Sequence, residues 1–273
     1  MPHFTTFDGL NLHYDDQGDG LAVLCLAGLT RNGRDFDHVA PHLDGVRLIR
    51  MDYRGRGQSD YGDWRSYTIE NEARDAIKLL DHLGLADAAI LGTSRGGLIA
   101  MLLGLTDGDR VRGVALNDIG PELDTSGLDR IAGYLGKPPP WTTLADAAAA
   151  MPAANPGFTD VPPARWRAQV ENNYVQGDHG LQLRYDPKLR DAVLEAPTGD
   201  APDLWPLFDA LAGKPVALIR GANSDLLGAD TAQKMQDRHP GLIYREVPGR
   251  AHVPFLDEAP ALEALRTWIQ QCR

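Results

Sequence analysis

The feature that most constrains the fold is a series of short, nearly continuous apolar runs separated by helical stretches. The runs end at small or polar residues and cover positions 21–26, 46–51, 88–91, 111–116, 215–219 and 242–247. Strands that are apolar throughout, rather than at alternate positions, are typical of a parallel sheet covered on both faces by crossover helices. The sequence therefore predicts an α/β fold.

The start of the chain predicts an exception to the parallel arrangement. Segments 4–7 and 10–14 flank Asp8-Gly9, a dipeptide typical of a tight hairpin. Helical patterns cover residues 69–83, 94–105, 229–239 and 256–271, and the first of them stops at Gly84. We therefore expect a mostly parallel eight-stranded sheet, with an antiparallel start, flanked by helices.

The alternation of strands and helices breaks between residues 121 and 213. Prolines crowd this segment, short helical stretches cover 128–135, 143–151 and 164–175, and no strand-like apolar run is evident. We interpret residues 1–120 and 214–273 as a core domain. Residues 121–213 are interpreted as a helical cap, or lid, inserted over the carboxyl edge of the sheet.

Charge and cysteine content narrow the function classes. The chain has 27 basic and 38 acidic side chains, a net charge of -11, which disfavours binding to nucleic acid or anionic membranes. Two cysteines form no zinc cluster, so no metal site is expected. The N-terminus has no signal-peptide pattern and no apolar run nears the about 18 residues of a membrane span. The expectation is a cytoplasmic protein acting on a small molecule, in an oligomeric state that stays open.

The strongest chemical motif is Gly92-Thr93-Ser94-Arg95-Gly96, between a predicted strand and a predicted helix. A serine on such a sharp turn needs small neighbours and presents its hydroxyl clear of the backbone. The amide of Arg95 would then lie at a helix N-terminus, where it favours an oxyanion. Ser94 is therefore the predicted nucleophile.

A serine needs a base, and His252 is the best placed of the eight histidines. It lies in the loop between the last strand run and the last helix, so we expect it at the carboxyl edge of the sheet beside the serine turn. His38 and His42 are four residues apart, but no third metal ligand is evident near them. We therefore predict His252 as general base.

The acid of the triad should follow another strand. Asp225, in the loop after residues 215–219, is the leading candidate, and Asp118, after residues 111–116, is the rival. Asp52 also ends a strand, but the loop that follows it, residues 53–59, is interpreted as structural. The order Ser, Asp, His along the chain matches α/β-hydrolases.

A second oxyanion donor is expected after the first core strand. We favour the amide of Leu29, with Gly28 and Thr30 as alternatives.

These motifs together resemble the α/β-hydrolase superfamily. The resemblance includes residues 26–29, 52–59, the serine turn and the Asp225 and His252 loops. It implies hydrolysis of an ester, thioester, lactone or C–C bond without a cofactor. Ser94 argues against the branches that use an aspartate nucleophile. Many relatives have His-Gly where this chain has Ala27-Gly28, which removes any support from that histidine.

The expected enzyme is a carboxylesterase or lactonase. The alternatives are a C–C hydrolase, thioesterase, acyltransferase or cofactor-free perhydrolase, and then a non-catalytic binding or receptor protein. Aromatic residues of the insertion are candidates for lining the substrate site, or else for forming the cap's own small core: Trp141, Phe158, Trp166, Tyr174 and Trp205. The Arg95 side chain either binds a substrate carboxylate or is an ordinary surface arginine.

Overall fold

The computed structural model describes residues 2–195 and 202–273. Eight strands form one sheet in the order β1-β2-β4-β3-β5-β6-β9-β10. Their bounds are β1 His3–Thr5, β2 Asn11–Gly18, β3 Leu21–Leu26, β4 Val46–Met51, β5 Ala88–Thr93, β6 Val111–Asn117, β9 Val216–Gly221 and β10 Ile243–Val247. Strands β1, β2 and β4 pair antiparallel, and the remaining pairs are parallel. The predicted mostly parallel sheet with an antiparallel start is confirmed.

Helices cover both faces of this sheet. The helices of the described residues are α1 Ile69–His82, α2 Arg95–Thr106, α3 Thr125–Tyr134, α4 Leu144–Ala154, α5 Pro163–Asn173, α6 Leu189–Leu194, α7 Trp205–Asp209, α8 Ala229–Arg238 and α9 Ala259–Cys272. Of these, α1, α2, α8 and α9 pack on the sheet. Helix α1 begins at the cap residue Thr68, whose hydroxyl accepts a hydrogen bond from the Asn71 amide. Helix α2 packs on β5 and β6 at the centre of the sheet.

Two apolar cores lie on opposite faces of the sheet. One face of the sheet packs against α1, α2 and α8, with Leu26, Ile90 and Leu116 buried in it. The other packs against α9, with Cys25, Leu91 and Trp268 buried in it. Successive strand residues point to opposite faces, so burial on both faces explains why these strands are apolar throughout.

The segment 121–213 departs in part from the sequence interpretation. It contains α3 to α7, as helices were expected, but also a two-stranded hairpin of β7 Tyr174–Gly177 and β8 Gly180–Leu183. The insertion, interpreted from the sequence as helical, therefore also contains two strands, which are short and are not apolar runs. Helix α7 packs on α2, with Phe208 buried in the core. Within the described residues, the helices are too short or too polar to cross a membrane.

Candidate active site

The nucleophile turn joins β5 to α2. Ser94 has φ 51° and ψ -116°, a backbone conformation with positive φ that residues other than glycine rarely adopt. A Cβ at Gly96 would lie 2.0 Å from the carbonyl oxygen of Leu26, and one at Gly92 would lie 2.5 Å from the carbonyl oxygen of Gly96. Only glycine fits at both positions, so the strained serine is held by close backbone packing.

His252 reaches this turn from the loop that follows β10. Its Nε2 lies 2.9 Å from the Ser94 Oγ, within hydrogen-bonding distance. The two residues are 158 positions apart along the chain, and the sheet brings them together. The structure thus places the predicted nucleophile and the predicted base in contact, as a proton transfer between them requires.

The carboxylate at His252 belongs to Asp118 rather than Asp225, so the leading sequence candidate is corrected. The Asp118 Oδ2 lies 2.7 Å from the His252 Nδ1, and the Asp118 side chain is fully buried. The chain order remains Ser, Asp, His with this acid, so order alone did not distinguish the two candidates.

The local backbone explains why Asp118 occupies this position. It directly follows β6, and its amide donates to the Ile219 carbonyl of the neighbouring strand β9 at 2.7 Å. Its φ of 57° turns the chain at this point. The carboxylate then accepts from the Gly221 amide at 2.7 Å and from the Ser224 hydroxyl at 2.6 Å. Ser224 is a further site residue that sequence reasoning missed, although it precedes the chosen Asp225.

Asp225 lies four residues beyond the end of β9 and contacts a different element. Its Oδ2 is 3.2 Å from the guanidinium of Arg130 on α3, and its backbone carbonyl accepts from the Ser126 hydroxyl at 3.1 Å. The loop of Asp225 therefore supports the acid through Ser224 and joins the core to the insertion through Asp225 itself.

The candidate oxyanion donors lie beside the serine. Leu26 of β3 pairs with Gly92 of β5, so the segment that follows β3 runs next to the nucleophile turn. There the Arg31 amide donates to the Gly28 carbonyl at 3.0 Å, closing a turn with Leu29 as its second residue. Arg95 is the first residue of α2, where the amides have no intrahelical acceptor. Both amides thus occupy positions suited to an oxyanion hole.

Two buried side chains from the 53–59 loop hold residues 27–31, the segment that contains the Gly28–Arg31 turn and is called the oxyanion turn below. The Tyr53 hydroxyl donates to the Ala27 carbonyl at 3.1 Å, and the Arg56 Nε donates to the Leu29 carbonyl at 3.1 Å. Sequence reasoning interpreted this loop as structural and missed its link to the site. Two arginines of this loop, Arg54 and Arg56, are buried in the structure. A buried guanidinium needs specific partners, so arginines in a short loop between core elements are the feature that could have indicated this link.

The Arg95 side chain is closed into an ion-pair network under the site. Its Nε donates to the Glu72 Oε2 at 2.6 Å, and its Nη2 donates to the Tyr67 carbonyl at 3.0 Å. Arg56 lies 2.9 Å from the other oxygen of Glu72. The Arg95 side chain fits neither alternative, a surface arginine or one that binds a substrate carboxylate. Its guanidinium is already paired with the carboxylate of Glu72.

Burial and neighbouring charges shift the pKa values of two groups in this network. Burial tends to raise the pKa of Glu72, but Arg56 and Arg95 outweigh it, so the pKa is lowered and the carboxylate is ionised. Burial also raises the pKa of Tyr53 well above its usual value, and Glu72 adds to that rise. Tyr53 is therefore a neutral hydrogen-bond donor to the oxyanion turn.

The aromatic candidates for the substrate site are divided by the structure. Trp166 is buried against Phe158 and Phe255, which makes it a packing residue between the insertion and the His252 loop. Trp205 packs on the core, and its indole nitrogen donates to Glu122 at 2.9 Å. Of the two alternatives for the aromatic residues, the structure therefore favours packing for Trp166 and Trp205.

Trp141 and Tyr174 are half-buried in a small cluster within the insertion. Burial raises the pKa of Tyr174, and the nearby Arg31 guanidinium opposes that rise. Tyr174 directly follows Asn173, whose side chain accepts a hydrogen bond from Arg31, and it stays a candidate for contact with a substrate. Trp141 also stays a candidate.

A cavity of about 30 Å³ lies behind the nucleophile, lined by Thr93, Asn117, His38 and Phe255 among others. It is too small for a substrate, since ligand pockets span about 300–1,000 Å³. The Asn117 amide donates to the Thr93 hydroxyl at 3.2 Å and to the Pro254 carbonyl at 3.1 Å, bracing the nucleophile turn against the His252 loop.

The chain matches known proteins over nearly its whole length. The model of the alpha/beta hydrolase fold family matches residues 22–259. A 3-hydroxybutyrate-oligomer hydrolase of Cupriavidus necator is 37% identical over 257 residues, covering 90% of this chain and 87% of the relative. A 2-(acetamidomethylene)succinate hydrolase of Mesorhizobium japonicum is 27% identical, covering 89% and 85%.

Among solved structures, an alpha/beta hydrolase from Novosphingobium aromaticivorans superimposes with a TM-score of 0.92 at 38% identity, covering 99% of this chain and 97% of the other. The family model, the similar fold and the serine turn of the sequence all agree. The chain belongs to the alpha/beta hydrolase fold family.

Proposed function

We propose that this hydrolase cleaves a carboxylic ester or lactone of a small molecule through an acyl-serine intermediate. The observation that carries the proposal is the continuous hydrogen-bonded series from Ser94 to His252 to Asp118, at 2.9 and 2.7 Å. This arrangement is the one by which a serine hydroxyl is made nucleophilic near neutral pH.

In the proposed reaction His252 takes the proton of Ser94 as its oxygen attacks the carbonyl carbon. Asp118 holds the imidazole in the tautomer that accepts this proton and stabilises the imidazolium that forms. The amides of Leu29 and Arg95 donate to the oxyanion. When the tetrahedral intermediate collapses, His252 gives the proton to the leaving alcohol. Water activated by His252 then releases the acid from the serine, and no cofactor takes part.

The insertion is proposed to act as the cap that bounds the substrate space. Arg130 of α3 contacts Asp225, Asn173 at the end of α5 contacts Arg31, and the Thr159 amide donates to the Gly249 carbonyl at 3.0 Å. These contacts reach the Asp225 loop, the oxyanion turn and the His252 loop. A cap held at these three loops fits a small-molecule substrate, in the space between them and Ser94.

The relatives suggest the bond type. The Cupriavidus protein is named for the hydrolysis of 3-hydroxybutyrate oligomers, which are esters of a hydroxy acid. The Mesorhizobium protein is named as a hydrolase of 2-(acetamidomethylene)succinate. Because identity to the first is higher, we place carboxylic esters before the other bonds that the same triad hydrolyses.

The Ser94→Ala variant tests the proposal. We expect kcat for p-nitrophenyl butyrate and for a 3-hydroxybutyrate oligomer to fall about 10⁴- to 10⁶-fold, because the nucleophile is lost while the oxyanion donors remain. Ser126→Ala, which removes an exposed hydroxyl in the same region, serves as the matched control and should keep normal activity. Near-normal turnover by the Ser94 variant would refute the acyl-serine mechanism.

A further inference from the structure

The side chain of Arg31 borders the nucleophile across a space that Gly28 leaves open. A Cβ at Gly28 would lie 3.3 Å from the Arg31 Cγ and 3.9 Å from the Ser94 Cβ, so both atoms lie within 4 Å of that one point. Arg31 is also only two residues beyond the candidate oxyanion donor Leu29. Its methylene stem therefore forms one wall of the space beside the reacting carbonyl.

The guanidinium of Arg31 has mostly neutral partners. It donates to the Asn173 Oδ1 at 3.3 Å. With the Gln169 side-chain amide oriented so that its oxygen faces Arg31, that oxygen accepts from both terminal nitrogens at 3.0 and 2.9 Å. Its carboxylate contact in the described chain is a single long one, 3.5 Å to Asp35. Burial raises the pKa of the Asp35 carboxyl, and the nearby Arg31 guanidinium opposes that rise.

Two other guanidinium groups near the site, those of Arg95 and Arg56, are paired with a carboxylate and are less exposed. Arg95 donates to Glu72 at 2.6 Å and its side chain is 12% exposed, while the Arg56 side chain is 0% exposed. The side chain of Arg31 is 25% exposed. A partly exposed guanidinium without a close carboxylate keeps both the charge and the donors that bind a carboxylate in two parallel hydrogen bonds.

We propose that Arg31 binds a carboxylate of the substrate, so that the enzyme prefers esters with a free acid group a few bonds from the scissile carbonyl. This proposal rests on the proposed ester hydrolysis. Tyr174 directly follows Asn173, which accepts a hydrogen bond from Arg31, so it is the aromatic candidate for the border of the same group. Substrate binding exchanges the amide oxygens of Asn173 and Gln169 for a charged acceptor, which forms stronger hydrogen bonds.

The experiment compares charged and neutral esters of matched size. In the first pair, methyl hydrogen succinate carries a carboxylate on the acyl side of the ester, and methyl butyrate is its neutral counterpart. In the second pair, 3-butyryloxybutyrate carries a carboxylate on the alcohol side, and its methyl ester is the neutral counterpart. For Arg31→Gln we expect the ratio of kcat/KM for the charged over the neutral ester to fall about 10- to 100-fold in at least one pair, mainly through KM.

Two further variants separate recognition from a structural role. Arg31→Lys, which keeps the charge, should restore part of the preference, and Arg167→Gln, on the exposed surface of α5, should leave it unchanged. A purely structural clamp between core and insertion would instead lower the rates of charged and neutral esters alike. Equal losses within both pairs would overturn the proposal for Arg31 and leave the proposed ester hydrolysis intact.

Binding gives a readout that does not depend on turnover. In the Ser94→Ala background, calorimetric titration with methyl hydrogen succinate and 3-butyryloxybutyrate should show binding that Arg31→Gln weakens about 10-fold or more. Unchanged affinity for both would overturn the proposal. If the unaltered enzyme hydrolysed none of the four esters, the proposed function itself would fail, a result distinct from loss of the charge preference.

Discussion

The carboxylate of Asp118 is fixed by more than its contact with His252. It also accepts from the Gly221 amide and from the Ser224 hydroxyl, so donors occupy both of its oxygens. A buried carboxylate with donors on both oxygens keeps one orientation. The orientation of the imidazole therefore depends on Ser224 as well as on the acid.

Replacing Ser224 with alanine tests this dependence. We expect Ser224→Ala to lower kcat about 10-fold, the loss that follows from removing one hydrogen bond of about 1.5 kcal/mol to a charged group. Ser224→Thr keeps a hydroxyl and should recover much of the activity. In an Asp118→Asn background the serine substitution should have little further effect, because the carboxylate it orients is gone. An equal loss in both backgrounds, measured as kcat on p-nitrophenyl butyrate, would contradict this role.

At the residue scale, the sequence is most informative where a short motif carries the geometry. The turn around Ser94 requires its glycines for local packing, so the sequence alone indicates the nucleophile. The choice between Asp118 and Asp225 depends instead on the φ of 57° at residue 118 and on a hydrogen bond to Ile219 in another strand. Those are properties of the folded sheet, and local sequence patterns do not encode them.

At the scale of elements, strand register brings the site together. Leu26 of β3 pairs with Gly92 of β5, and Asn117 of β6 pairs with Ile219 of β9. The loops that follow these parallel strands therefore emerge at one edge of the sheet, next to the His252 loop after β10. The strand ends were predictable from the apolar runs, so the location of the site was predictable even where one residue was not.

Helix α1 links two parts of the site through Glu72. This buried carboxylate pairs with Arg56, which holds the oxyanion turn, and with Arg95, which begins the nucleophile helix. Glu72→Gln leaves two buried guanidinium groups without their countercharge. We expect it to lower the free energy of unfolding by about 3–5 kcal/mol, measured by urea denaturation, and to reduce activity as well.

The contribution of Glu72 to the free energy of unfolding depends on pH. The folded-state pKa of Glu72 lies below its usual value of 4.5, because the arginines outweigh burial. Its contribution is therefore full above the unfolded-state pKa and is lost as the pH falls through the lower folded-state value. The Gln variant should show a shallower loss of stability in this acidic range. Glu70→Gln, on the exposed side of α1, is the control, and an unchanged slope for Glu72→Gln would contradict the account.

For the whole molecule, the sheet with its two apolar cores supports the site, and the insertion contacts the loops around it. The apolar runs predicted the first, because burial on both faces leaves a clear pattern. The insertion was predicted less well: the β7–β8 hairpin has short, partly exposed strands, and α7 packs on the core side against α2. Segments that are stabilised by contacts distant in sequence carry weak local signals.

The central claim is that three separate loops of this sheet meet as Ser94, His252 and Asp118. The most direct test compares kcat for p-nitrophenyl butyrate in Asp118→Asn and Asp225→Asn. We predict a loss of about 10⁴-fold for Asp118→Asn, because an amide favours the wrong imidazole tautomer, as seen for the equivalent change in a serine-protease triad. Asp225→Asn should stay within a few-fold of the unaltered enzyme. A large loss for Asp225→Asn with near-normal activity for Asp118→Asn would contradict the account.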